Sequence, residues 1–526
     1  MNRIIGILVV AFFSVVVSAQ DHLSALLPMP NHVEQIGRKP FRVEPGKTVI
    51  AIPDGQLRFE AEQLAAIFYE RMGFKLAIKE GEDRQRKSIS LSIDPGLKGK
   101  EHYCIEVSSR GVSLRGATAA AVYRGITTLD QLLLGDVCNT SEGRISSILI
   151  DDTPRMDYRC LMLDPARHFL PIEDVKFYID QMARYKYNVL QLHLTDDQGW
   201  RIEIKSQPGL ASKHHYSQAE IRDLIAYASQ RHIEIVPEID VPGHTVAILS
   251  AYPELACRHL HSSPAVVGKT VNRMLCAANP KTYVVLKDVI GEICQLFSSS
   301  YFHLGGDEAA VPENWAKCPD CRRMMEKKGY TKPTQLMQPF FEEVLSYVKQ
   351  GGKTPVLWCE LNNIYPPATD YLFPYPKDVI LVSWRNGLTP TCQRLTAEKG
   401  NSLLMAPGEH AYFDYPQWKG DLPEYNNWGM PITSLQQTYQ LDPGYGRPEA
   451  EQRHILGVMG TLWGEAIQDI NRATYMTYPR ALALAEAGWT EMPYRSWDSF
   501  KQRIYPNLML LMKSGVSVRV PFEIAR

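Results

Sequence analysis

Two adjacent carboxylates, Asp307 and Glu308, close the stretch His303-Leu304-Gly305-Gly306-Asp307-Glu308. Neighbouring anions cannot ionise equally easily, so one pKa is pushed upward. That favours a protonated Glu308 near neutral pH, the state a general acid needs. Successive side chains of a regular strand point to opposite faces. Both carboxylates reach one pocket only if the strand ends or bends, and Gly305-Gly306 makes such a departure feasible. An Asp-Glu pair alone is usually a solvated surface dipeptide; the preceding apolar strand and the glycines argue against that here.

Seven other short apolar runs end in the same way. Asp164, Arg167 and His168 follow 159–163, and His193, Asp196 and Asp197 close 189–194. Glu238, Asp240 and His244 close 233–239, as Asp307 and Glu308 do for 301–304. Runs 355–358 and 379–384 lead to Trp358, Glu360 and Trp384; 403–406 leads to Tyr412 and Asp414, and 458–463 to Trp463 and Glu465. Carboxylates with tryptophans fit glycoside hydrolysis, which needs a carboxyl acid and a means of stabilising an oxocarbenium-like centre. There is no Gly-rich phosphate loop, no G-x-S-x-G elbow and no H-x-H on the first run. His193, His244 and His303 are individually as compatible with structural roles as with functional ones.

The elements that must hold these residues alternate. Helical spacing at 172–186, 218–231, 334–350 and 474–487 separates the apolar runs, and eight β-then-α units predict a (β/α)8 TIM barrel with its site at the C-terminal face of the strands. The span exceeds the usual ~250 residues, so several βα loops are extended. Residues 20–153 predict a smaller α+β domain: strands at Val49–Ile52 and Ser88–Ile93, a helix over 59–72 stopped by Gly73, a hairpin around Arg110-Gly111, and a helix over 117–134. Residues 148–154 read as the hand-over to the barrel domain, 154–526, which ends in a helical segment.

With 526 residues, a net charge of −1 and no long basic run, nucleic-acid binding is excluded as a function class. Arg3, an apolar run over 4–17 and Val17-Ser18-Ala19 predict a signal peptide, residues 1–19, and an exported protein, periplasmic or extracellular. No later stretch is apolar enough for membrane insertion. Ten cysteines are spread thinly. Cys257 and Cys276 flank a polar loop and form the best candidate disulfide. Cys318-Pro319-Asp320-Cys321 is a lone C-x-x-C; zinc needs two more ligands, no matching second pair is visible, and a local disulfide or free thiols are expected. No metal or cofactor is expected.

Five segments resemble, in order, the motifs of family 20 glycoside hydrolases, the β-N-acetylhexosaminidases. They are Arg159-Cys160-Leu161-Met162-Leu163-Asp164-Pro165-Ala166-Arg167-His168-Phe169, His193-Leu194-Thr195-Asp196-Asp197-Gln198-Gly199-Trp200, Pro237-Glu238-Ile239-Asp240-Val241-Pro242-Gly243-His244, the Asp307-Glu308 stretch, and Trp463-Gly464-Glu465. The resemblance implies exo-acting removal of terminal β-linked GlcNAc or GalNAc from a glycan, with retention and with the substrate's 2-acetamido oxygen as nucleophile. It implies Glu308 as acid/base, Asp307 as the group orienting the acetamido N–H, and Tyr412 as donor to its oxygen. Trp358, Trp384 and Trp463 would wall the sugar site. Arg159, Asp414 and Glu465 would bind hydroxyls far from the scissile bond, and Asp196 and His244 would stand behind Glu308 and tune it. Cys160, Leu357, Cys359 and Phe413 depart from the family's usual residues without removing a catalytic group. A non-catalytic glycan-binding barrel would lack the acid or Asp307, and a chitinase would carry a D-x-x-D-x-D-x-E strand, which is absent.

Overall fold

A computed structural model describes residues 25–81, 87–135, 143–360, 374–421 and 429–524. The N-terminal expectations of two strands, a hairpin and two helices are met. Seven strands form one mixed sheet in the order His32–Gln35, Ile148–Asp152, Tyr103–Ser108, Gly111–Gly116, Ser88–Ile93, Val49–Ile52, Ala77–Glu80. Helices Arg58–Met72 and Ala119–Gly135 pack on it around a core that includes Ile50, Leu64, Phe68, Ile105 and Leu129. Gly73 stops the first helix at φ 78°, the left-handed cap glycine favours. Ile148–Asp152 is more than a hand-over. It pairs antiparallel with both His32–Gln35 and Tyr103–Ser108 and so belongs to the sheet.

The second unit is a closed barrel of eight strands, all parallel. They are β1 (Tyr158–Leu163), β2 (Val189–His193), β3 (Glu234–Glu238), β4 (Tyr301–His303), β5 (Thr354–Trp358), β6 (Ile380–Ser383), β7 (Leu403–Met405) and β8 (Ile455–Leu462). All eight lie where the apolar runs put them, and β1 pairs with β8 to close the ring. Alternation along each strand sorts the residues. Tyr158, Cys160 and Met162 of β1 join Val236, Val356, Trp358 and Val382 inside the barrel. Leu161 and Leu163 face outward, against the helices.

Two helices differ from expectation. The 334–350 stretch opens as a 3-10 turn, Pro333–Leu336, before Met337–Gln350. The 474–487 stretch is two helices, Ile470–Thr477 and Arg480–Trp489. Pro479 stands between them, and it has no N–H to carry the ladder through. Among the described residues, no helix is long and apolar enough to cross a membrane.

The two units lock together at the N-terminal end of the barrel. Trp489 Nε1 donates to Asp152 at 2.9 Å, Arg124 donates to the carbonyl of His232 at 2.9 Å, and Arg159 pairs with Glu101 at 2.7 Å. The opposite mouth of the barrel is left to the βα loops.

Candidate active site

Strand β4 stops at His303, and the backbone then turns sharply. Gly305 and Gly306 have φ of 66° and 97°, and Glu308 itself has φ 46°. This is the departure that the adjacent carboxylates required. It brings Asp307 and Glu308 into one cavity of about 600 Å³ at the C-terminal face of the strands, lined also by Arg167, His244, Trp384, Arg385, Tyr412, Asp414, Trp463 and Glu465. A positive φ at a non-glycine residue costs energy and persists only where the surroundings enforce it. Here the Gly306 N–H donates to Asp240 Oδ1 at 3.0 Å, which pins the turn.

The two carboxylates are not equivalent. The Asp307 side chain is 10% exposed and that of Glu308 is 41% exposed, so Asp307 lies deep and Glu308 at the rim. Burial raises the Glu308 pKa first and the Asp307 charge second; His244, Arg385 and Arg167 oppose them. The like-charge argument from adjacency is thus correct in sign but is the smaller cause. Asp307 Oδ1 is buried and has no hydrogen-bond partner among the described residues. A carboxyl oxygen in that state is an acceptor awaiting a donor.

His244 joins the carboxylates to a charged layer below them. Its Nε2 is 3.7 Å from Asp307 and 3.8 Å from Glu308, and its Nδ1 is 3.3 Å from Asp196. Burial opposes the charged imidazole, but Asp196, Asp307 and Asp240 outweigh it and raise the pKa well above its ordinary value. Asp196 also takes Arg167 at 2.8 Å and His193 at 2.9 Å. Below, Glu238 is fully buried and accepts from Gln191 at 2.7 Å and Trp358 Nε1 at 2.9 Å. His193 and His303 flank Glu238, and they hold its pKa well below the usual range against the burial penalty.

The far side of the cavity is aromatic. Trp384 and Tyr412 stand parallel with ring centroids 6.4 Å apart, and Trp463 meets Tyr412 edge-on at 6.4 Å. Tyr412 is extended, so Tyr412 and Asp414, two residues apart, share a face, while the Phe413 N–H between them donates to the Thr461 carbonyl at 2.7 Å. Burial, then the charge of Glu465, raises the Asp414 pKa well above normal. Glu465 Oε2 has no partner among the described residues.

Of the residues singled out from the sequence, Glu308, Asp307, Tyr412, Trp384, Asp414, Trp463, Glu465 and His244 line the cavity, and Asp196 lies directly behind it. Two do not belong to its wall. Trp358 is inside the barrel one layer down, its ring 5.6 Å from Trp463, so it forms the support of the floor. Arg159 is the larger correction. It has the outward parity of Leu161 and Leu163 and sits near the start of β1, where Glu101, the Lys186 carbonyl and the Met156 carbonyl take its donors. Asp164, at the far end of the strand, is roughly 16 Å further along at the usual rise per residue. The arginine of this segment that reaches the cavity is Arg167, paired with Asp164 at 3.0 Å, stacked 5.0 Å from Trp463 and 3.9 Å from Glu465. Arg385 was missed altogether. It lines the cavity 3.9 Å from Glu308 and donates to Glu360, whose pKa burial lifts to about 8. Its signal was position: it directly follows Trp384 at a strand end.

The comparisons with known proteins agree with this geometry. The family model for the glycosyl hydrolase family 20 catalytic domain matches residues 156–492, and that for domain 2 of the same family matches 23–153. A β-hexosaminidase of Akkermansia muciniphila is 36% identical over 450 residues, 81% of this chain and 87% of that protein. The structure of the Streptomyces plicatus N-acetyl-β-hexosaminidase in complex with thio-NAglucal matches with a TM-score of 0.81 at 30% identity, covering 96% of this chain and 98% of that one. The β-N-acetylhexosaminidase from Bacteroides fragilis matches with a TM-score of 0.78 at 28% identity, covering 94% and 96%. A barrel with two adjacent carboxyl groups at its C-terminal face, and an α+β domain at its base, define a carbohydrate hydrolase, and the chain belongs to glycosyl hydrolase family 20. Within that family it is an enzyme of the β-N-acetylhexosaminidase type. Exo-acting, retaining, substrate-assisted hydrolysis is the chemistry of the family.

Proposed function

We propose that this enzyme removes terminal β-linked GlcNAc or GalNAc with Glu308 as acid/base and Asp307 as the anion that orients the acetamido group. The observation that carries the assignment is the buried, partnerless Asp307 Oδ1 beside a carboxyl whose pKa is raised. The acetamido N–H is the donor that oxygen lacks. Held so, the acetamido oxygen attacks C1 as Glu308 gives its proton to the glycosidic oxygen, and the C1–O bond breaks. Glu308, now ionised, takes a proton from water as that water attacks C1 and opens the oxazolinium ring. The rim position of Glu308 suits both the departing sugar and the arriving water. Tyr412 O–H donates to the acetamido oxygen, Trp384 and Trp463 enclose the ring and its methyl, and Asp414, Glu465 and Arg167 bind the remote hydroxyls.

The test is release of the aryl group from aryl β-GlcNAc and β-GalNAc by the wild type and Glu308→Gln. Hydrolysis lost in the variant is expected; full activity in it would remove Glu308 from the acid role, and a wild type inert on both substrates would remove the activity.

Export completes the proposal. It rests on the Arg3, apolar and Val17-Ser18-Ala19 pattern, which lies outside the described residues. N-terminal sequencing of the exported fraction is expected to begin at Gln20.

A further inference from the structure

Four cysteines from two separate loops converge. Cys257, Cys276, Cys318 and Cys321 are buried, and their sulfurs all lie within 4.8 Å of one another. Cys276 Sγ is 3.9 Å from Cys318 Sγ and 3.7 Å from Cys321 Sγ. Cys257 is free, so the expected Cys257–Cys276 disulfide is not formed, and those two residues supply the second pair that the C-x-x-C lacked.

We propose that this quartet binds a structural zinc ion. A tetrahedral zinc–thiolate centre with Zn–S near 2.3 Å places its sulfurs about 3.8 Å apart. Both separations match that edge, and Cys276 is shared between two neighbours rather than committed to one. An all-sulfur tetrahedral donor set selects a thiophilic ion over magnesium or calcium. Cys318 is the N-cap of helix Pro319–Lys328 and Cys321 lies in its first turn. Orphan N–H groups and the helix dipole there stabilise thiolates.

The location gives the ion its task. Cys257 and Cys276 belong to the long loop after β3, which carries His244. Cys318 and Cys321 end the loop after β4, which carries Asp307 and Glu308. Polar contacts already stitch these loops: Trp315 Nε1 donates to the Leu275 carbonyl at 2.8 Å, and the Asn314 amide donates to the Asn272 carbonyl at 2.9 Å. The metal fastens the two loops at their outer ends, so the strained turn at Glu308 is held from both sides. None of the four cysteines lines the catalytic cavity, so the ion takes no part in the chemistry.

The test uses the full chain, purified without chelators or a metal-affinity tag from zinc-replete culture. Elemental analysis is expected to find one zinc per chain. Titration with an organomercurial should release that zinc to a chromogenic chelator as the four thiols are consumed. The double variant Cys276→Ser/Cys321→Ser should lose the metal, while Cys392→Ser, at the separate Cys359–Cys392 contact, should keep it. If the double variant does not fold, cobalt incorporated into the wild type should show sulfur-to-metal charge-transfer absorption. Zinc-free protein, another metal in its place, two disulfides in the peptide map, or zinc retained by a folded double variant would each overturn the assignment.

Discussion

Asp240 Oδ1 accepts the Gly306 N–H at 3.0 Å, and the same oxygen fills the space of a Cβ at Gly305, only 1.8 Å from where that atom would stand. The Asp240 Cα would be 2.8 Å away, so rotation of the carboxylate does not relieve the clash. The turn that aims Asp307 and Glu308 thus depends on a missing side chain. Gly305→Ala is expected to displace both carboxylates and to lower kcat on aryl β-GlcNAc by roughly 100-fold, the scale of an ångström-sized misplacement. Wild-type kcat in a folded Gly305→Ala protein would show that the turn tolerates the methyl.

On the proposed roles, the alkaline limb of the pH–rate profile reports Glu308. Its pKa is raised by burial and by Asp307 and lowered by His244 and Arg385. The acid works protonated, so activity falls as pH rises through that pKa, and a raised value moves the limb to higher pH. Removing the opposing cation in Arg385→Met should move the limb further up. Asp307→Asn removes the like charge and should move it down in whatever activity remains. The contrary displacement in either variant would reverse the electrostatic account.

Asp196 binds Arg167 and His193 in a buried cluster. Neutralising one member leaves the others charged without compensation, which costs ~3–5 kcal/mol. Asp196→Asn should therefore lower the urea midpoint with an unchanged m-value. An unaltered midpoint would mean that water or rearrangement satisfies Arg167.

Arg159 and Glu465 should separate cleanly. Arg159→Met breaks a buried pair with Glu101 at the domain junction and should lower the Tm while leaving KM unchanged. Glu465→Gln should raise KM roughly tenfold through a weakened bond to a sugar hydroxyl, with little change in Tm. A KM increase in Arg159→Met would return that residue to substrate binding.

These contrasts mark what the sequence could and could not convey. Eight apolar runs with polar ends place the strands and the ring of site residues, because a parallel barrel strand is short, apolar and followed by its functional loop. Motif resemblance put Arg159 beside the ligand, but strand parity already argued otherwise: residues 159, 161 and 163 share a face, and two of them are leucines. Arg167 stands just past the strand end, where the functional side chains of a parallel barrel gather. The cysteine quartet was hidden for a different reason. Cys257 and Cys318 are brought together only by two long loops meeting in space, and no local period encodes that. Pro479 was visible in the sequence, but the apolar spacing that runs through it masked the break between two helices.

In the proposed role, the partnerless oxygen of Asp307 also governs what the enzyme refuses. On the proposed mechanism a plain β-glucoside or β-galactoside brings neither an N–H to that oxygen nor a nucleophile to C1. Sites that discriminate through an unmet hydrogen bond reject the analogue by about 10⁴–10⁵-fold. Selection against the most abundant hexoses therefore requires no bulky gate at the mouth of the cavity, and the entrance is free to vary with the glycan beyond the terminal sugar.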